Sequence, residues 1–509
     1  MRSPHAPGFR KRLRVHAAAV WLAVGLLLAP TLAPAQLPTL GDGSDMTTIT
    51  ERKLGERIAR ELFRDPDYID DPVLDEYVLD IWKKLLAAAR IRGELTSELD
   101  ERFAWQVLLG KDRTINAFAV PGGWLGLHLG LISTTTSVDE LASVLAHELS
   151  HVTQRHISRL MTQQNKMTPL LVAGLILGAI AASKSPEAAN AVIAGGQALA
   201  IQGQLNFSRD MEREADRIGF GVLTQAGYEP QGFVAMFEKL QQASRLTDNG
   251  SFPYLRTHPM NTERIAEMQS RQQLVARTAP GAGTDLVHAM IVGRARVLSN
   301  PGVDILRSYV GEPDAGSTAA AGRVKQVSAL YGAALAASKL RDAPAASALA
   351  ARLQVLVAGD AKATRLAKLL AAEIAFQAGE PARAAQQVDA ASNARPEVLL
   401  SSQARIQSGR AAEVAQRLQT WVAVHPRDAP AWQLLATAYA SQGQTLRAVR
   451  AEAEARVAQL DYQAAMDRFR AAQDIARKGG GGSDHIEASI IDTRARHIES
   501  LLREQALER

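Results

Sequence analysis

Two histidines four residues apart in an otherwise apolar helical pattern constrain this chain more than any other feature. His147 and His151 stand one turn apart on a helix, on one face, with Glu148 beside them. Ser137 followed by Glu140 makes a capping box, and Val138, Leu141, Val144, Leu145, Leu149 and Val152 recur at near-helical spacing, so residues 137–156 are predicted to form one helix. Two imidazoles at this separation can reach one zinc ion, and the carboxylate between them can take a proton from water at the metal. The 509 residues include no cysteine, which leaves His, Asp and Glu as the ligands for any metal and excludes disulfides as a stabiliser.

A third ligand is expected from the charged helix over 207–219, where Glu212 and Asp216 share a face. Glu212 would complete a two-histidine, one-glutamate site. Asp216, one turn on, could orient a ligand histidine or help to protonate a leaving group. Arg209 could pair with either carboxylate, and Arg209 and His156 are read as supports of the site. His258 precedes Pro259, which biases it to an extended backbone in a loop. Three readings of it stand open: a fourth ligand that displaces the catalytic water, a substrate-contacting residue, or a loop histidine without a role.

Ahead of this region, residues 1–35 carry a secretory signal pattern, with Arg10, Lys11, Arg12 and Arg14 before an apolar run over 17–29 and Ala33-Pro34-Ala35 before Gln36. The run is short for a membrane span, so cleavage after Ala35 and release of the remainder are expected. These residues also hold Arg2 and no acidic side chain, so their removal takes the formal net charge from +5 to 0. A pI near 9.4 therefore gives no argument for a nucleic-acid partner. Two amphipathic helices are expected between 46 and 86. Strands over 103–109, 116–120 and 124–129 should form a small antiparallel sheet, whose edge at Asn116, Ala117, Phe118 and Ala119 could pair with an extended peptide. The apolar stretch 169–182 and a weaker one over 188–201 are too short to span, and read as a buried helical hairpin or a peripheral contact with lipid.

The residues Asn116 to Gly123, His147 to His151 with Arg155-His156 after it, Ser208-Arg209 with Glu212 to Asp216, and Thr257-His258-Pro259 resemble, in this order, the HtpX-like and CAAX-prenyl-protease-like gluzincins. The resemblance spans nearly the whole chain after residue 35 and is nearest to the soluble, periplasmic branch of that family. It implies one Zn2+ per chain held by His147, His151 and Glu212, catalysis by Glu148, a proton-donor role for Asp216, and hydrolysis of peptide bonds. Beyond a flexible 278–284, the Ala-rich remainder carries degenerate tetratricopeptide spacing, as in Trp432, Leu435, Ala436, Tyr439, Ala448 and Ala455. The expected architecture is α+β and mostly α: a gluzincin domain over 36–277, then an all-α repeat domain over 285–509. Such a periplasmic enzyme would act on unfolded or misassembled outer-membrane proteins and meet the outer-membrane assembly machinery through its repeats, or else serve chiefly as a chaperone or scaffold with a latent protease.

Overall fold

Side-chain caps set the first helices: Thr47 accepts from the N–H of Thr50, Asp71 from that of Leu74 and Thr96 from that of Leu99. The structure, a computed structural model, describes residues 46–163, 173–174, 176–178, 208–246, 254–260, 262–274, 285–299, 302–478 and 485–507. The expected signal segment 1–35, the expected linker 278–284, the stretch 188–201 and most of 169–182 lie outside them. Among the described residues no helix is long and apolar enough to cross a membrane.

In chain order the elements are α1 (Thr48–Arg64), β1 (Tyr68–Ile69), α2 (Pro72–Ile91), α3 (Ser97–Arg102), β2 (Gln106–Gly110), β3 (Ala117–Val120), β4 (Trp124–His128), α4 (Leu129–Thr134), α5 (Val138–Thr153), α6 (His156–Gln163), α7 (Arg209–Gln225), α8 (Gln231–Leu246), the single turn α9 (Tyr254–Thr257) and α10 (Thr262–Leu274). The helical array follows as α11 (Leu286–Ser299), α12 (Val303–Gly311), α13 (Gly316–Ala319), α14 (Arg323–Lys339), α15 (Ala343–Leu356), α16 (Ala361–Gln377), α17 (Pro381–Gln387), α18 (Arg395–Gln407), α19 (Ala411–Val424), α20 (Ala429–Ala440), α21 (Thr445–Ala458), α22 (Tyr462–Lys478) and α23 (His485–Leu507). The class is therefore α+β and mostly α, as the periodicity implies.

The sheet is mixed rather than antiparallel. Its order is β1-β2-β4-β3, with β2 and β4 parallel and the other two pairs antiparallel. The β3–β4 hairpin folds back so that β4 enters between β2 and β3, and two strands separated by a third need not alternate in direction. This places β3 at an edge, with the register Ala117 opposite Leu127 and Ala119 opposite Leu125. The N–H of His128 donates to Asn116 O, so Asn116 and Phe118 pair inward while Ala117 and Ala119 turn their backbone groups outward.

The helix α5 lies in the middle of the fold, buried on every side from Glu140 to Thr153. Close approach by its neighbours depends on two glycines. A Cβ on Gly219 of α7 would stand 3.1 Å from backbone atoms of Ala146 and His147, and one on Gly232 of α8 would overlap the backbone of Asp139. One hydrophobic core runs from α2 through α5, α7 and α8 into the array as far as Ile374, and a separate cluster holds α18–α21 together.

Buried and half-buried ion pairs seat the array against the N-terminal elements. Arg294 pairs with Asp71 at 2.6 Å and Glu373 at 2.8 Å. Arg365 bridges Glu76 and Glu397, and Arg395 reaches Asp70, Asp75 and Asp428. Farther along, Arg60 donates to Leu460 O and Arg64 pairs with Asp461.

Candidate metal centre and active site

Ser137 caps the helix as expected, its Oγ accepting from the N–H of Glu140, but the return bond of the box is shifted by one residue: the Glu140 carboxylate accepts from the N–H of Thr136 and not from that of Ser137. The helix that follows stops at Thr153, three residues short of the expected end. Arg155 takes a left-handed backbone, φ 51°, and a second helix starts at His156. The turn is held because the Arg155 guanidinium donates to Glu51 Oε2 at 2.8 Å and to Met46 O at 2.7 Å.

His147, His151, Glu212 and His258 are brought together, each buried, with one donor atom of each within 4.8 Å of all the others. The Nε2 atoms of His147 and His151 are 3.0 Å apart. Glu212 stands 3.6 Å from His147 Nε2 and 3.4 Å from His151 Nε2. His258 Nδ1 lies 3.4 Å from His147 Nε2 and 3.0 Å from Glu212 Oε1. A tetrahedral ion with bonds near 2.0–2.1 Å separates its ligands by about 3.3 Å, so the group fits the edges of such a polyhedron. The two outer carboxylate oxygens are faced by nitrogen as well: Arg264 Nη1 is 2.9 Å from Glu212 Oε2, and His258 Nε2 is 3.4 Å from Glu148 Oε1.

Glu148 sits beside the ligands. Its Oε2 accepts from the outward N–H of Ala119 at 2.9 Å, and its Oε1 is 3.4 Å from His258 Nε2. The edge strand β3 and Glu148 are thus joined directly. Burial raises the Glu148 pKa against the pull of His258 and His147. At His151, burial and then His147 and His156 push the pKa well below the ordinary value, which keeps a neutral imidazole ready to ligate. Glu212 is opposed by burial, but His258, His147 and Arg264 outweigh it and hold the carboxyl below its usual range.

Each of the two α5 histidines is backed by another group. Asp216 Oδ1 is 2.9 Å from His147 Nδ1, and Arg264 holds both Asp216 oxygens, at 2.7 and 2.8 Å. Burial opposes ionisation of Asp216 and Arg264 overcomes it, so its pKa falls below the ordinary carboxylate value. An ionised carboxylate in contact with His147 Nδ1 suits orientation of that ring. The cation expected from Arg209 is supplied by Arg264 instead: Arg209 opens α7 from an exposed position, whereas Arg264 also reaches Glu212 at 2.9 Å and donates to Pro259 O. On the other ligand, His156 Nδ1 faces His151 Nδ1 at 2.8 Å. The plane of His258 is covered by Tyr254, stacked at 4.5 Å, whose N–H donates to Ile115 O.

Residues 76–272 match the profile of peptidase family M48, and 395–470 match that of the bacterial transcriptional activator domain. The chain is 30% identical over 447 residues to the beta-barrel assembly-enhancing protease of Escherichia coli (strain K12), covering 85% of this chain and 87% of that one. The chain belongs to peptidase family M48. The same protease of Yersinia pestis is 30% identical over 432 residues, 83% of this chain and 85% of the relative. A Vibrio cholerae protein of this group is 36% identical over 265 residues, so the match spans about half of that relative, 53%. This M48 chain is a metalloprotease, and its four-donor cluster falls within the matched residues. Arg264, Glu214, Arg159 and Tyr254 also belong to the centre but carry no spacing signal that sets them apart from surface charges or core aromatics.

Proposed function

We propose that the chain is a periplasmic zinc endopeptidase that acts on unfolded or misassembled outer-membrane proteins, and the buried cluster of His147, His151 and Glu212 beside Glu148 carries this reading. When bound, zinc would polarise the scissile carbonyl as a Lewis acid and lower the pKa of water to about 7. Glu148 takes the proton of the attacking water and passes it to the departing amine as the C–N bond breaks. Asp216 acts by holding His147, with Arg264 keeping it ionised. The edge strand at Asn116, Ala117, Phe118 and Ala119 receives an extended substrate through its outward backbone groups, those of Ala117 and the carbonyl of Ala119, which suits loose sequence preference.

His258 is the restraint in this scheme. Its Nδ1 lies among the ligand atoms, where it would take the position needed for water, and Tyr254 covers the ring. The same observation favours a second reading in which the protein is mainly a chaperone or scaffold with a latent protease. Labour divides between catalysis in 36–277 and recruitment of assembly partners by 285–509, joined at 278–284 after export directed by 1–35. Helices of the second part close at Gly409 and Gly443, φ 77° and 71°, and their spacing equals the tetratricopeptide period of about 34 residues. Any lipid contact belongs to 169–182.

The test is metal analysis together with cleavage. His147→Ala, His151→Ala and Glu212→Ala should lose zinc, and Glu148→Gln should keep zinc and lose hydrolysis of an unfolded outer-membrane protein. His258→Ala should keep zinc and cleave faster. Full zinc in Glu212→Ala removes that residue from the ligand set, and slower cleavage by zinc-loaded His258→Ala refutes the restraint.

A further inference from the structure

The two histidines of α5 are supported in different ways. Behind His147 is a carboxylate in direct contact, Asp216. Behind His151 is a second imidazole, with Nδ1 facing Nδ1 at 2.8 Å. That second ring, His156, has its Nε2 3.2 Å from Glu214 Oε2, and Arg159 donates to the same oxygen at 2.7 Å.

The chemistry of the ring nitrogens fixes the protons along this line. For His151 to offer Nε2 to a metal, its proton must be on Nδ1, which then donates to His156 Nδ1 as a bare acceptor. The His156 proton is consequently on Nε2, where the acceptor is Glu214. Glu214 Oε2 receives both this N–H and one from Arg159, which can only donate, so no donor meets a donor and no acceptor meets an acceptor. A tautomer change in either ring alone would put two N–H groups, or two lone pairs, face to face at 2.8 Å, and a ring flip would replace the nitrogen there by a C–H.

The backbone is arranged for this contact. Arg155 takes the left-handed conformation, which a non-glycine residue adopts at some cost, and this turn ends α5 and swings His156 back onto the helix just finished. Glu214 is two residues beyond the ligand Glu212 on α7, so the helix that contributes a ligand to the cluster also anchors the support of another. Both rings are buried, so water does not compete for these bonds.

We propose that Glu214 and Arg159 are positioning residues for the metal site, acting through His156 to hold His151 as the Nδ1–H tautomer with Nε2 aimed at the ion. The carboxylate charge reaches the ligand through one intervening imidazole, which makes His151 a better donor than an isolated histidine. The inference rests on His151 being a metal ligand.

The experiment is a zinc titration of the full chain against a competing chelator, for the parent, His151→Ala, His156→Gln and Glu214→Gln, with far-UV circular dichroism of each apo form. Glu214→Gln removes the charge and keeps the shape, and its zinc affinity should fall at least about tenfold. Nitrogen-15 histidine spectra of the zinc-loaded parent should show one tautomer at His151 and the Nε2–H tautomer at His156, and the latter should become mixed in Glu214→Gln. A purely structural role would leave these spectra unchanged. If His156→Gln does not fold, Glu214→Gln still decides. Zinc affinity within twofold of the parent in a folded Glu214→Gln protein overturns the proposal. Zinc binding by His151→Ala equal to the parent overturns instead the assignment of His151 as ligand.

Discussion

Removing the Arg264 guanidinium would leave Asp216, and one oxygen of Glu212, buried without a cation. Arg264 itself is 2% exposed, so solvent cannot take its place. Breaking a buried pair of this kind costs about 3–5 kcal/mol, and Arg264→Met should lower the melting temperature of the apo protein and its zinc content together. Arg264→Lys should recover little, because an ammonium cannot hold both Asp216 oxygens and the Pro259 carbonyl at once. Asp216→Asn tests the neighbouring role: orientation of His147 predicts a 10–100-fold loss of zinc affinity in a chelator titration, whereas a proton donor would lose turnover with zinc affinity intact. These residues also mark the limit of what the sequence discloses. His147, Glu148 and His151 are legible because helical spacing alone puts them together, and Glu212 because a second charged helix has one acidic face. Arg264 is fifty-two residues from Glu212 in the chain, inside a helix with many charges, and only the tertiary approach of α10 to α7 distinguishes it from Arg209.

At the level of elements, the centre depends on how closely α7 can approach α5. The atoms that a Cβ on Gly219 would meet are the Ala146 carbonyl and His147 Cα, which are backbone and cannot rotate away. Gly219→Ala should therefore push the helices apart, at a cost of about 1–3 kcal/mol, and move Glu212 away from the histidines. The expected result is a lower melting temperature together with weaker zinc binding. Gly316→Ala, where nothing lies within 4 Å, should change neither and serves as the control. Unchanged zinc affinity in folded Gly219→Ala would mean that the site tolerates a wider separation than the packing suggests. Two element boundaries were hidden from the sequence for related reasons. The apolar spacing of α5 continues into Ile157 and Leu160 with no Gly or Pro between, and the break at Arg155 comes from contacts with Glu51 and Met46 about a hundred residues earlier. Likewise, strand periodicity identifies β2, β3 and β4, but whether β4 enters between the other two is decided by packing, so the parallel pair was not foreseeable.

Across the whole molecule, the hydrophobic core does not stop at the composition change near 278–284. His288 of α11 lies 2.7 Å from Tyr77 Oη and 3.2 Å from Thr135 Oγ1, and the core cluster continues to Ile374. A fragment ending at residue 284 should consequently melt at lower temperature and be cut faster by an added protease than one ending at residue 378, even when both hold zinc. Equal stability of the two would show that α11–α16 pack on the protease without supporting it. The same junction predicts an acid response. Asp71 is opposed by burial, but Arg294, which it meets at 2.6 Å, and the N–H of Leu74 hold its pKa below the ordinary value near 3.9. Glu373, Tyr331, Lys339 and, one turn along α2, Asp75 are the other charged or titratable groups about this pair. Because the folded value is the lower one, the unfolded chain binds more protons in the interval between the two, so stability falls as the pH drops. The contribution is fully present above about pH 5 and is lost from about pH 4 downward through the depressed folded value. At neutral pH, Asp71→Asn should cost on the order of 3 kcal/mol, since it leaves Arg294 with Glu373 as its remaining carboxylate. Melting curves from pH 7 to pH 3 should show the gap between parent and Asp71→Asn narrowing only below about pH 4. A gap that stays constant to pH 3 would mean that the pKa of Asp71 does not differ between the folded and unfolded chain, and would refute the depression by Arg294.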